Sequence, residues 1–179
     1  MIILEDTRQV AGKHAIKHKW FEEHGIEIRR TKLYCGDYTL PTNQSVCVDT
    51  KQGCEELISD ICGKQHERFR AECQRAKEAG IQLYILVENC GWVMKSGNKN
   101  IVCPTILDLS ELHLWINKRL FLWRNGKQLY PSATRGITLQ KACYTMEKKY
   151  GCKFLFCTPE ESGAKIIELL KGETLWQKT

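Results

Sequence analysis

Asp37 stands in the run Gly36-Asp37-Tyr38, and Asp49 follows twelve positions later, trailed by Thr50 and Lys51. Asp49 and Lys51 are two apart, so an extended backbone turns both side chains to one face. The stretch Tyr38–Leu40 and the β-branched run Ser45–Asp49 flank Pro41-Thr42-Asn43-Gln44, which reads as a turn. A hairpin of these two strands carries Asp37 to the same end of a sheet as Asp49. Asp6, closing the apolar run Ile2–Glu5, is a third carboxylate able to reach that edge. Carboxylate oxygens suit a hard cation such as Mg²⁺, which polarises a phosphate and lowers the pKa of an attacking water. An ammonium beside them orients that water or neutralises developing charge. The plain alternative is a turn aspartate next to a surface Asp–Lys pair, because so short a pattern arises easily by accident.

The elements that must position these residues alternate. A first strand at Ile2–Glu5 precedes a helix over Lys13–His24, and a strand through Ile26, Ile28 and Leu33 comes before the hairpin. Helices are expected at Glu55–Cys62 and Gln65–Ala79, then a strong strand at Ile81–Val87. The Asn98–Thr105 region reads as loop with one strand. Ser110 is the expected N-cap of a helix through Leu112–Leu122, stopped by Asn125-Gly126. A helix over Thr138–Tyr150, a strand over Lys153–Cys157 and a final helix complete the chain. Thr158, Pro159 and Glu161 form the expected start of that last helix, as N-cap, first position and capping box. The pattern is α/β: a central mixed sheet with helices on both faces, in a single domain over 1–179.

Charge separates along the chain of 179 residues. Residues 1–90 carry 13 basic and 14 acidic groups, whereas 91–135 carry 7 and 2, and the whole chain is +6. A polyanion is therefore held mainly by the middle segment, while the N-terminal half keeps its acids. No apolar run reaches the roughly 18 residues that span a bilayer, and the N-terminus lacks a signal-peptide pattern, so a cytoplasmic location is expected. The ten cysteines include no C-x-x-C pair, and several sit inside apolar runs, so they read as reduced, buried thiols.

Other residues carry weaker signals. His14 and His18 are four apart on a helix, but no third ligand follows, and two exposed histidines is the expected outcome. Arg68, Arg70, Arg75 and Lys77 give the Gln65–Ala79 helix a basic face able to track a phosphate strand, and Glu72 on it reads as a solvated acid within reach of the site. Between 91 and 137, Trp92, Trp115, Phe121, Trp123 and Tyr130 are interleaved with bases that include Lys118, Arg119 and Arg124. Such a mixture stacks on unpaired bases and neutralises phosphate, although about half of these aromatics are expected to serve the core.

The motifs in order resemble the nuclease domain of the XPF/Mus family of structure-specific endonucleases, within the PD-(D/E)xK group. They are Leu4-Glu5-Asp6-Thr7-Arg8, Gly36-Asp37-Tyr38, Val48-Asp49-Thr50-Lys51, Leu57-Ile58, Arg68-Phe69 with Glu72, Ile85-Leu86-Val87-Glu88, and the Tyr150–Cys157 segment before the last helix. The similarity covers 1–90 and about 138–172, with 91–137 as an enlarged insert. It implies a restriction-endonuclease-like fold and metal-dependent cleavage of branched or flapped DNA in repair or recombination. Position by position, it implies that Asp6, Asp37 and Asp49 hold Mg²⁺, with Mn²⁺ able to substitute, that Lys51 is catalytic, and that Arg8 lies near the scissile phosphate. Arg68, Arg75, Lys118, Arg119 and Arg124 are the expected DNA contacts. The family's Glu-Arg-Lys is Asp49-Thr50-Lys51 here, and its following acid maps to Glu56 only with one extra residue. A homodimer, or a partner supplying junction binding, is also implied. A silent DNA-binding scaffold and a restriction or junction-resolving nuclease are the competing readings.

Overall fold

The structure is a computed structural model that describes residues 1–9, 14–97 and 99–172. Its centre is a six-stranded mixed sheet. In chain order the strands are β1 (Ile2–Asp6), β2 (Glu27–Thr31), β3 (Tyr38–Leu40), β4 (Asn43–Lys51), β5 (Gln82–Glu88) and β10 (Lys153–Cys157), arranged β10-β5-β4-β3-β1-β2. Pairs β1–β2, β4–β5 and β5–β10 are parallel; β1–β3 and β3–β4 are antiparallel. The expected mixed sheet and the Tyr38–Leu40 hairpin are both present.

Side-chain alternation divides two cores. Ile3, Tyr38, Val48 and Leu86 face α1 (Ala15–Glu23) and α5 (Ser162–Lys171), where Phe21, Ile166 and Leu170 meet them. On the other face Cys47, Leu83, Ile85 and Val87 pack under α2 (Cys54–Cys62), α3 (His66–Glu78) and α4 (Gly136–Tyr150). Leu57, Phe69 and Leu139 are the buried anchors of those three helices. Burying one such side chain contributes roughly 1.5–3 kcal/mol. Asp49 and Lys51 share the parity of Cys47, so the end of β4 delivers both to the α2–α3 face.

The segment after β5 differs from expectation. Residues 92–103 form an antiparallel hairpin of β6 (Trp92–Ser96) and β7 (Lys99–Cys103) rather than a loop with one strand; Asn98 lies outside the described residues. The helix expected over Leu112–Leu122 does not form. Two 3₁₀ turns, Leu109–Leu114 and Lys118–Phe121, stand in its place. Buried Leu109, Leu112 and Trp115 recur every third residue, the period that lines up in a 3₁₀ turn. Asp108, not Ser110, caps the first turn by accepting the Ser110 N–H at 2.7 Å. Buried Asn117 starts the second, accepting the Arg119 N–H and donating to the Thr134 carbonyl.

Asn125-Gly126 is not a helix stop. With φ of 49° and 72° it is the two-residue turn of a hairpin joining β8 (Trp123–Arg124) to β9 (Lys127–Gln128), and two consecutive positive φ values suit Asn-Gly. The last helix begins at Ser162, after a Thr158–Glu161 turn in which Glu161 reaches back to accept both the Thr158 N–H and hydroxyl. The start of α1 expected at Lys13 lies outside the described residues. All ten cysteines are free thiols. No described helix is long and apolar enough to cross a membrane.

Candidate active site

Three aspartates line up across three adjacent strands. Asp6 closes β1 one residue past the Glu5↔Tyr38 pair, Asp37 immediately precedes β3, and Asp49 follows Val48, the partner of Tyr38, so all three reach the same end of the sheet. Backbone bonds hold that row: the Asp6 N–H donates to the Asp37 carbonyl at 2.9 Å, and the Asp37 N–H to the Val48 carbonyl at 2.8 Å. The three carboxylates line one cleft. All three are buried. Gly36, just before the row, has φ of +69°, and a Cβ there would sit 3.1 Å from the Val48 carbonyl oxygen. The glycine of the Gly-Asp pair is thus required by the backbone itself.

Each aspartate has its own surroundings. Asp6 is clamped by Arg8: Oδ1 accepts the Arg8 Nε–H at 2.8 Å, Oδ2 accepts the Nη2–H at 2.7 Å, and Oδ2 also takes the Leu33 N–H. Burial alone would raise its pKa, but the Arg8 hydrogen bonds outweigh that and hold the carboxyl below its ordinary value. Asp37 Oδ2 accepts the N–H and the hydroxyl of Thr50, both at 2.7 Å, while Oδ1 accepts the side-chain amide of Gln9. Its partners are therefore neutral. Asp49 Oδ2 lies 2.8 Å from Lys51 Nζ, as an ion pair rather than a well-directed hydrogen bond. Burial, reinforced by the charges of Asp37 and Glu72, drives the Asp49 carboxyl well above its usual range despite Lys51.

Lys51 is the buried cation of this group. Its Nζ also lies 2.9 Å from Asp60 Oδ2 and 5.1 Å from the centre of the Phe69 ring. Burial works against its charge, but Asp49 and Asp60 more than compensate and raise its pKa. Its two carboxylate neighbours thus favour the charged form of Lys51.

A cleft of about 220 Å³ opens over the row. Arg8, Arg68 and Arg75 supply cations to its lining. Glu72, read from the sequence as a solvated acid, is half-buried and accepts the Gly36 N–H at 2.9 Å, bracing the turn that carries Asp37. Glu56 lines the cleft too, and its carboxylate accepts the Gln52 N–H at 2.8 Å. His14 and His18 correct an expectation: His14 is buried, bonded to Gln9 and part of the cleft, because Gln9 turns inward to Asp37. His18 points elsewhere, to Glu5 at 2.6 Å. Lys118, Arg119 and Arg124 do not line the cleft; they sit exposed on the 91–137 segment.

Sequence reasoning missed Asp60, Gln9 and Thr50. Asp60 had a legible signal, since it falls between Leu57 and Ile61 on the buried stripe of an amphipathic helix, where an unpaired acid is costly. Behind the sheet, Glu5 accepts from Tyr38 and pairs with Arg30, whose guanidinium also reaches the carbonyls of Thr7 and Gln9. That network fixes the loop presenting Arg8 and Gln9. Lys17 and Glu88 form a further buried ion pair at the end of β5.

The donor chemistry suits a hard divalent cation. Asp49 and Asp60 pair with one cation, Lys51, and Asp37 with neutral groups alone, so the site is rich in carboxylate oxygens. Among the described residues, no three acidic, histidine or cysteine side chains already stand as a closed metal-binding set.

The ERCC4 domain matches residues 6–170 of the chain. Among solved structures, XPF from Aeropyrum pernix aligns with a TM-score of 0.59 at 16% identity, covering 98% of this chain and 66% of that one. The same protein in complex with DNA aligns with a TM-score of 0.59 at 16% identity, covering 99% and 67%. The chain thus spans about two thirds of that protein, and at this identity the likeness is one of fold. A search of curated proteins finds no match.

Proposed function

Because the chain belongs to the ERCC4 domain family, we propose that it is a metal-dependent, structure-specific endonuclease that hydrolyses phosphodiester bonds in branched or flapped DNA. The observation that carries this reading is the row Asp6–Asp37–Asp49 across adjacent strands, with buried Lys51 against it. Mg²⁺, or Mn²⁺ in its place, would be held by Asp37 and Asp49. When bound, it would polarise the scissile phosphate and lower the pKa of an attacking water.

The protein's own residues complete the work. Lys51, fixed by Asp49 and Asp60, offers positive charge where negative charge develops on the phosphoryl oxygens. Because it stays protonated, it donates and does not abstract. Asp6 is committed to Arg8, so its contribution is to aim the half-exposed guanidinium at a phosphate; as a ligand it would have to release that arginine. Arg68 and Arg75 hold the strand in the cleft. Self-association, or a partner that supplies junction binding, belongs to the same proposal, with sedimentation in the presence and absence of DNA as its readout.

The test is incubation with labelled flap, fork, Holliday and duplex DNAs in Mg²⁺, Mn²⁺ or EDTA. Cleavage of branched substrates that EDTA stops supports the proposal. Binding without cleavage marks a silent scaffold, and duplex cutting without branch preference marks a restriction-type enzyme.

A further inference from the structure

Residues 112–146 hold six Lys and Arg side chains and no Asp or Glu. The two acids just before them, Asp108 and Glu111, are exposed and accept the backbone N–H groups of Ser110 and Leu107. Thirty-five consecutive residues of one sign complement a polyanion. Within them the aromatic rings differ in surroundings, and Tyr144, on α4, is exposed. Trp115 is buried in the core, and the Tyr130 ring is covered by the Arg119 guanidinium at 5.7 Å; just upstream, the Trp92 ring is covered by Lys118 at 5.1 Å. Trp123 is 62% exposed, and among the described residues no ring or cation stacks on its indole.

The indole stands on a rigid mount. Its hairpin is closed by Asn125-Gly126 and prolonged by the Leu129 N–H donating to the Leu122 carbonyl at 2.8 Å. Gln128 ties it to the adjoining 3₁₀ turn through a 2.6 Å bond to the Leu120 carbonyl. Arg124 and Lys127 are cross-strand partners at its tip, both exposed. The segment packs on the site's side of the sheet: Cys103, Leu112 and Trp115 share one core with Cys54, Leu57 and Ile61 of α2, the helix that supplies Asp60.

We propose that the Trp123–Gln128 hairpin is a docking platform for an unpaired stretch of DNA, the indole stacking on a base while Arg124 and Lys127 hold the flanking phosphates. A base inside a duplex has both faces covered by its neighbours, so stacking selects an unpaired one, and the choice is tolerant of sequence. This rests on the reading of the chain as a DNA nuclease and gives its preference for branched substrates a physical source. It is distinct from the cleft, whose cations serve phosphate alone.

The test is anisotropy of the full chain in EDTA with three labelled ligands of equal length: oligothymidylate, an abasic strand and a duplex. The wild type is expected to bind oligothymidylate more tightly than the abasic strand. Trp123→Ala should weaken oligothymidylate binding about tenfold and leave the other two unchanged, with Trp123→Phe recovering most of the loss. Equal affinity of the wild type for the thymidylate and abasic strands would overturn the platform, as would an unaltered Trp123→Ala or an equal loss on all three ligands. Wild-type protein that binds none of the three would overturn the nuclease reading as well. Metal-dependent cleavage that persists with unchanged strand affinity in Trp123→Ala would overturn the platform alone.

Discussion

Lys51 Nζ lies 2.9 Å from Asp60 on α2 and 2.8 Å from Asp49 on β4, so one ammonium links the sheet to the helix above it. Both carboxylates are buried, and removing one buried partner leaves an uncompensated charge. Asp60→Asn keeps the shape of the side chain and leaves Lys51 to Asp49 alone. Lys51 then has a second orientation open to it, and single-turnover cleavage should slow about tenfold, equivalent to roughly 1.4 kcal/mol of barrier. DNA affinity, measured by anisotropy, should not change. A loss of affinity equal to the loss of rate would show Asp60 to be merely structural.

Gln9 sets a second expectation. Its amide donates to Asp37 Oδ1, an oxygen that a cation held as proposed would use. One neutral hydrogen bond contributes about 0.5–1.5 kcal/mol net. Gln9→Ala should therefore bind Mn²⁺ more tightly, by roughly 2- to 12-fold, as read by calorimetry. Unchanged or weaker binding would mean that Gln9 organises Asp37 for the ion instead of competing with it.

Neutralising Lys118, Arg119 and Arg124 tests the basic segment away from the cleft. Their removal should weaken DNA binding and flatten its salt dependence by up to about three charge units, through lost counterion release. Lys118 and Arg119 also cover the Trp92 and Tyr130 rings, so a modest fall in melting temperature should accompany the change. An unchanged salt slope would place the DNA elsewhere.

Lys51→Ala should slow cleavage by about 10²–10³ while Mn²⁺ binding persists, because the ammonium cannot ligate a metal and one preorganised charge contributes roughly 3–4 kcal/mol. Lys51→Arg should rescue poorly, since a planar guanidinium does not fit between Asp49 and Asp60 as a compact ammonium does. Lost metal binding with normal cleavage at saturating metal would make Lys51 an organiser of the site and not a catalytic group.

The parts of the fold legible in the sequence are those set by local periodicity. The β-branched run Ser45–Asp49 and the turn residues after Leu40 located the hairpin that brings Asp37 and Asp49 to one end of the sheet, although the turn is Pro41-Thr42 alone and β4 already begins at Asn43. Gly151 ended α4 as expected, with φ of 74°. Residues 109–128 misled because Leu109, Leu112 and Trp115 satisfy a three-residue period almost as well as a helical one, and the choice was made by Asn117 bonding to Thr134, seventeen residues away. Asn125-Gly126 serves equally as a helix stop or a hairpin turn when its flanks are unknown. In the site, Asp6, Asp37, Asp49 and Lys51 were singled out by type and spacing together with the family resemblance, and the fold brings them to one cleft. Gln9, Glu72 and His14 could not be found that way, because their partners lie 28, 36 and 5 positions off in a geometry only the folded loops create.

The most direct test of the central claim is cleavage of a labelled flap DNA by Asp49→Asn, beside the wild type, with and without Mg²⁺. Asparagine preserves volume while removing the ionisable carboxyl group beside Lys51. The account predicts Mg²⁺-dependent cutting by the wild type, no detectable cutting by Asp49→Asn, and near-equal folding and DNA affinity of the two. Wild-type-like cleavage by the purified variant, or cutting by the wild type that EDTA does not stop, would contradict it.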